Sequence, residues 1–113
     1  MQLMPATARL VAGRTGIRIA DEATLYEPEV NIRLGTAYLG EMLRRFDQNR
    51  LIASAAYNAG PTRAARWMDA SLPLDIWVET IPFVETRDYV QNVAMFAAIY
   101  ATRMGLSQPL IYP

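Results

Sequence analysis

Apolar residues recur at helical spacing along two long stretches of this chain, each opened by Pro or acidic residues and closed by polar or glycine positions. That pattern constrains the fold more than any other feature of the sequence. From Pro28 to about Phe46, the residues Ile32, Gly35, Leu39, Met42, Leu43 and Phe46 fall on one face of a helix, with Arg33, Glu41, Arg44 and Arg45 elsewhere. From about Glu85 to Met104, a second stripe carries Tyr89, Val93, Phe96, Ala97, Tyr100 and Met104, and Gly105 stops it. Shorter helices fit between and before them. Pro5 leads into Ala6 to Ala12 with Gly13 past the end, and Leu51 to Asn58 is Ala-rich, apolar nearly all round and therefore central. Thr62 to Asp69 reads as a helix carrying Trp67, and Pro73 to Thr80 as one or two turns. Arg14 to Tyr26 reads as a loop with one turn at Asp21 to Leu25, Asp47-Gln48-Asn49 as a connector and Ser107 to Pro113 as a tail. Period-two alternation is scarce, so the expectation is an all-α domain of five or six helices.

A chain of 113 residues is enough for one domain and too short for two, so residues 1–113 are expected to form a single unit. With 52% of its residues hydrophobic it can build a core and does not belong with disordered chains. It holds no Cys and no His, which excludes a disulfide framework, a Cys nucleophile, a Cys/His zinc site and a Ser-His-Asp triad. Any proton chemistry must come from Asp, Glu, Tyr or water; no metal and no cofactor is expected. The formal net charge is zero and every basic residue is Arg, a usage that reflects genome composition. A neutral chain argues against nucleic acid as a partner. No apolar run approaches the roughly 20 residues of a membrane span. Met1 to Leu10 contain Pro5 and Arg9 and have no secretory pattern, so at face value the chain would stay in the cytoplasm.

Three segments carry residue types suited to a site: Met1-Gln2-Leu3-Met4-Pro5, Ala56-Tyr57-Asn58-Ala59-Gly60-Pro61, and Pro82 to Val90, in which Glu85, Arg87 and Asp88 begin a helix. Tyr57 and Asn58 sit at the end of a buried helix where Gly-Pro turns the chain. Their polar groups need partners, either in the backbone of the turn or in a ligand. Glu85 in a first helical turn has an ordinary role with the helix dipole. Glu79 and Glu85, with Pro82 between them, could be imagined as a glycosidic carboxylate pair, but spacing alone is a weak signal. The methionines of the first segment serve more often as core filler than as a binding surface.

In this order and at these separations, the three segments resemble the motifs of the soluble lytic murein transglycosylase family, with its goose-lysozyme-like fold. That family shows Gly-Leu-Met-Gln-Ile/Leu-Met-Pro, then Ala-Tyr-Asn-Ala-Gly-Pro, then Glu-Thr-Arg-x-Tyr-Val. Residues 1 to 5 match the end of the first, 56 to 61 the second and 85 to 90 the third. Glu27-Pro28-Glu29-Val30-Asn31-Ile32, followed by Leu34-Gly35, resembles a fourth stretch, Asp-Pro-x-x-Asn-Ile, with Glu27 in place of Asp. The resemblance runs from residue 1 to about residue 104 and implies an all-α, lysozyme-like helical domain truncated at its N-terminus.

The same resemblance implies a function. The complete domain would cleave the β-1,4 bond between N-acetylmuramic acid and N-acetylglucosamine in peptidoglycan, forming a 1,6-anhydro product. A single Glu, commonly followed by Ser, would act as acid and then base. It lies upstream of the Met-Gln-x-Met-Pro stretch, inside which this chain begins, so none of these 113 residues is expected to be catalytic. By the same analogy Gln2, Met4, Tyr57, Asn58 and Glu85 would bind glycan strands, in the periplasm or cell envelope. A peptidoglycan-binding remnant without activity, a helical structural module and a hydrolytic muramidase or chitinase-like relative are the alternatives.

Overall fold

A computed structural model of the chain describes residues 3–106. Among them are six α-helices and one 3₁₀ turn: α1 (Pro5–Thr15), the 3₁₀ turn (Glu22–Tyr26), α2 (Pro28–Arg45), α3 (Arg50–Ala59), α4 (Pro61–Trp67), α5 (Leu74–Thr80) and α6 (Val84–Arg103). The all-α expectation is met. The chain divides into two compact units, with the boundary inside α2 between Glu41 and Met42.

In the N-terminal unit, Pro5 opens α1 with its fixed φ, where a missing N–H costs nothing. Ala8, Val11 and Ala12 form its buried stripe. The helix does not stop at Gly13 as expected. It tolerates that glycine and ends at Gly16, whose φ of 73° lets its N–H reach the Ala12 carbonyl at 3.0 Å. The 3₁₀ turn packs against α1, buries Leu25 and is capped by Asp21, whose Oδ1 accepts from the Thr24 N–H and hydroxyl, each at 3.0 Å. Arg14 pairs with Glu41 at 3.4 Å, a largely exposed contact worth about 0–1 kcal/mol. On α2 and just past its end, Gly35, Met42 and Phe46 of the expected face are buried, as are Leu34 and Tyr38, whereas Ile32 is 56% exposed.

The C-terminal unit is built around α3, which packs against α4 and α6, while α5 packs against α6. Every side chain from Leu51 to Ala56 is buried, and the short alanine side chains bring neighbouring helices close. Asn49 caps α3 by accepting the Ile52 N–H at 3.1 Å, and the Ser54 hydroxyl, buried in an apolar helix, donates to the Arg50 carbonyl at 2.7 Å. Trp77, Val78, Ile81 and Val90 complete the core. Trp77, 1% exposed, donates its indole N–H to the Trp67 carbonyl at 2.7 Å and so holds α5 against the end of α4.

Both long helices close by the same device. After α2, the Gln48 N–H reaches back to the Leu43 carbonyl at 2.7 Å with Asp47 at φ 54°; after α6, the Leu106 N–H reaches the Ala101 carbonyl at 2.8 Å with Gly105 at φ 71°. On α6 the fully buried side chains are Thr86 and Val90, near its start. Phe96, Tyr100 and Met104, which share the predicted stripe, are 49%, 61% and 71% exposed.

Gly60 joins α3 to α4 at φ 98° and ψ 146°, a backbone region open essentially to glycine alone. A Cβ there would meet nothing within 4 Å, so backbone strain is the whole cost of a substitution. Gly60→Ala is expected to lower stability by about 1–3 kcal/mol. Urea denaturation measures this, and an unchanged midpoint would contradict it.

Candidate functional site

The end of α3 and the start of α6 bring together three of the five residues expected to bind ligand. The Thr86 hydroxyl donates to Asn58 Oδ1 at 2.8 Å, across 28 residues of chain. Tyr57 precedes Asn58 on α3, and Glu85 precedes Thr86 on α6, so all four belong to one junction. The Tyr57 hydroxyl oxygen is buried, whereas Asn58 and Glu85 are exposed. The α3 terminus is held by its own backbone: the Gly60 N–H bonds the Ala56 carbonyl at 2.9 Å and the Ala64 N–H bonds the Gly60 carbonyl at 3.1 Å. Asn58 therefore spends its oxygen on α6, not on the turn that follows it.

Met4 belongs to the N-terminal unit, where it forms the N-cap of α1 with its side chain 76% exposed. Gln2 lies outside the described residues.

An aromatic group flanks the junction on α4. Arg63 places its guanidinium 5.2 Å from the centre of the Phe83 ring, and Trp67 meets the same ring edge-on at 5.1 Å. The Arg63 Nη1 also donates to the Ala59 carbonyl at 3.4 Å, a cation at the C-terminal end of α3. These contacts link α4 to the residues that lead into α6.

The described residues offer no general acid in a poorly solvated pocket. Glu79 and Glu85 are both exposed, and Glu79 Oε1 accepts from Gln91 Nε2 at 2.7 Å. Burial raises the Tyr89 phenol above its usual pKa, which keeps it neutral. Asp69 is held below the ordinary carboxylate range by the Ser71 hydroxyl and then by the Ser71 N–H, in an exposed connector between α4 and α5. No group of three or more His, Cys, Asp or Glu residues suited to a metal occurs among the described residues. None of the helices described is long and apolar enough to cross a membrane. Chemically, the junction presents hydrogen-bonding groups beside an aromatic flank.

Thr86 is the residue that sequence reasoning passed over. It stands inside the Glu-Thr-Arg segment, but a Thr in a first helical turn has no distinctive signal until its partner across the fold is visible.

The sequence of the junction and the fold around it have known counterparts. The family model for the Transglycosylase SLT domain matches residues 1–79, and that for the Soluble lytic transglycosylase helical domain matches residues 80–109. The soluble lytic murein transglycosylase of Salmonella typhimurium is 43% identical over 98% of this chain and 18% of its own length. The Escherichia coli protein of the same name is 42% identical over 93% of this chain and 17% of its own. Among solved structures, the 70 kDa soluble lytic transglycosylase of Escherichia coli superposes with a TM-score of 0.91, at 41% identity, over 98% of this chain and 19% of that one. An inactive mutant of the lytic transglycosylase Slt from Pseudomonas aeruginosa, carrying a Glu-to-Gln replacement, superposes with a TM-score of 0.89, at 50% identity, over 98% of this chain and 18% of that one. The chain thus spans less than a fifth of the length of these relatives. Its helices have the lysozyme-like fold of those enzymes, and the chain belongs to the lytic transglycosylase SLT domain family.

Proposed function

We propose that residues 1–113 form the glycan-holding part of a lytic transglycosylase domain acting on peptidoglycan in the periplasm or cell envelope. The complete domain would cut the β-1,4 bond between N-acetylmuramic acid and N-acetylglucosamine. A protonated Glu would donate to the bridging oxygen, and the muramoyl 6-hydroxyl would close on C1 to give the 1,6-anhydro sugar. Because the nucleophile belongs to the substrate, its effective concentration is high and no second catalytic carboxylate is required. That accords with a chain whose two candidate carboxylates, Glu79 and Glu85, are exposed. On this reading no residue of the 113 is the general acid, and the chain alone binds without cutting.

The observation that carries the reading is the α3–α6 junction, where the Thr86 hydroxyl bonds Asn58 Oδ1 at 2.8 Å and Tyr57, with its hydroxyl oxygen buried, precedes Asn58 on α3. Hydrogen bonds made away from bulk water are electrostatically stronger, so Tyr57 suits a contact to the reacting sugar or to the acid itself. Asn58, with Oδ1 engaged, would offer its Nδ2 donors to an N-acetyl carbonyl. Glu85 would accept from glycan hydroxyls, and Gln2 and Met4 would line neighbouring sugar subsites.

The 113-residue chain is expected to be retained on insoluble peptidoglycan sacculi; a chain that stays in the supernatant would contradict the reading. In a longer chain that includes the acid, Tyr57→Phe is expected to cut turnover roughly tenfold with an unchanged melting curve, the loss of about one well-placed hydrogen bond. Unchanged turnover would remove Tyr57 from the site.

A further inference from the structure

The Asn58 side chain can present either of two faces to a ligand, and the two have opposite chemistry. One amide atom donates and the other accepts, and a half-turn about the last side-chain bond exchanges them. For an exposed Asn in water the exchange is nearly free. In this chain the Thr86 hydroxyl donates to the amide oxygen at 2.8 Å, and turning the amide would make that hydroxyl accept from Nδ2 and send its own proton to another acceptor.

Thr86 is 2% exposed, so bulk water does not compete for its hydroxyl. It stands in the first turn of α6, and its Oγ donates to the Asn58 oxygen, not to a carbonyl one turn back along its own helix. Other threonines in helices of this chain do the latter: Thr15 donates to the Val11 carbonyl, Thr36 to the Ile32 carbonyl and Thr102 to the Ala98 carbonyl. The exception is the one threonine of these that is buried at the junction. With the oxygen committed to α6, the two Nδ2 protons are the part of Asn58 left for a partner.

We propose that Thr86 is a positioning residue that fixes the Asn58 amide with its donor end toward the ligand, so that the junction selects a carbonyl acceptor such as the N-acetyl group of an amino sugar. This deepens the proposed function and rests on it, since it presumes that Asn58 meets the glycan. Removing the hydroxyl would free the amide to turn, and an oxygen facing a carbonyl oxygen repels it. The loss would fall on binding of N-acetylated sugars more than on the stability of the fold.

The test compares the unaltered 113-residue chain with Thr86→Val, Thr86→Ser and Asn58→Ala, titrating each with a soluble oligosaccharide of N-acetylglucosamine and N-acetylmuramic acid by nuclear magnetic resonance. The de-N-acetylated oligosaccharide serves as a second ligand, and the Asn58 side-chain amide signals are followed throughout. Thr86→Val is expected to weaken binding of the N-acetylated ligand about fivefold or more, to narrow the preference over the de-N-acetylated one, and to shift the Asn58 amide signals. Thr86→Ser, which keeps the hydroxyl, is expected to bind within about twofold of the unaltered chain, and it stays informative even if the Val variant folds poorly. Equal affinity of Thr86→Val and the unaltered chain would overturn the inference, as would a loss in Thr86→Ser as large as in the Val variant. Asn58→Ala separates the two levels. Unchanged binding there removes Asn58 from the site and the proposed function loses that contact, whereas weakened binding with an indifferent Thr86→Val overturns the role of Thr86 alone.

Discussion

Trp77→Ala is expected to cost the fold about 3–5 kcal/mol, the range for emptying a buried aromatic position. Trp77 is 1% exposed and heads the fully buried side chains by size, so the vacated space has few routes to collapse. A second loss adds to the first. The Trp67 carbonyl belongs to the last residue of α4, where no later turn supplies an intrahelical donor, and the Trp77 indole N–H fills that need at 2.7 Å. Removing the donor leaves a partly buried acceptor unmet, at about 1–3 kcal/mol. Domains of this kind have typical stabilities of about 5–15 kcal/mol, so the variant sits near the limit of folding. Trp77→Phe separates the two losses, because it keeps most of the volume and drops only the N–H. Urea denaturation with both variants decides the matter: the Ala variant should lose most and the Phe variant an intermediate amount. A loss below about 1 kcal/mol in the Ala variant would show that α5 is not held as described.

The second large effect concerns the acid. Positioned general acid catalysis is commonly worth about 10²–10⁴ in rate, and in the proposed reaction the leaving oxygen would depend on it. The substrate's own hydroxyl would close the ring in that reaction but would not protonate the bridging oxygen. A longer chain that includes the acid-bearing segment is therefore expected to clear sacculi at least about a hundredfold faster than the 113-residue chain under the same conditions. Replacing the Glu of that segment by Gln should return the rate to that of the short chain. Equal clearing by the short and long chains would place the acid among the residues present here.

The helices were legible because their signals are local. Pro28, Pro61 and Gly105 mark ends by fixed or permissive φ, and the Ala-rich run from Leu51, apolar but for Ser54, reads as central. The errors arise where a local signal competes with another or where burial depends on a distant partner. Gly13 has the composition of a stop, yet a helix absorbs one glycine for about 1 kcal/mol, and the actual stop is the left-handed Gly16 three residues on. The α6 stripe has correct periodicity, but period alone does not say what covers a face; its burial is strongest near Thr86 and Val90. Ile32 failed on α2 for the same reason.

Around the α3–α6 junction, Tyr57, Asn58 and Glu85 stand out in sequence by residue type, Tyr57 and Asn58 at the end of α3 and Glu85 at the start of α6. Thr86 and Trp77 do not, because each matters through a single hydrogen bond to a residue far along the chain, Asn58 in one case and Trp67 in the other. A Thr or Trp on a helix gives no advance notice of such a bond.

The most direct test of the central claim is mass spectrometry of the soluble material released when the purified 113-residue chain is incubated with peptidoglycan sacculi. The proposed function predicts a folded chain that binds the sacculi and releases no anhydro-muropeptides. Release of anhydro-muropeptides would contradict it and would place a working acid among these residues, with Glu79 and Glu85 the first to replace.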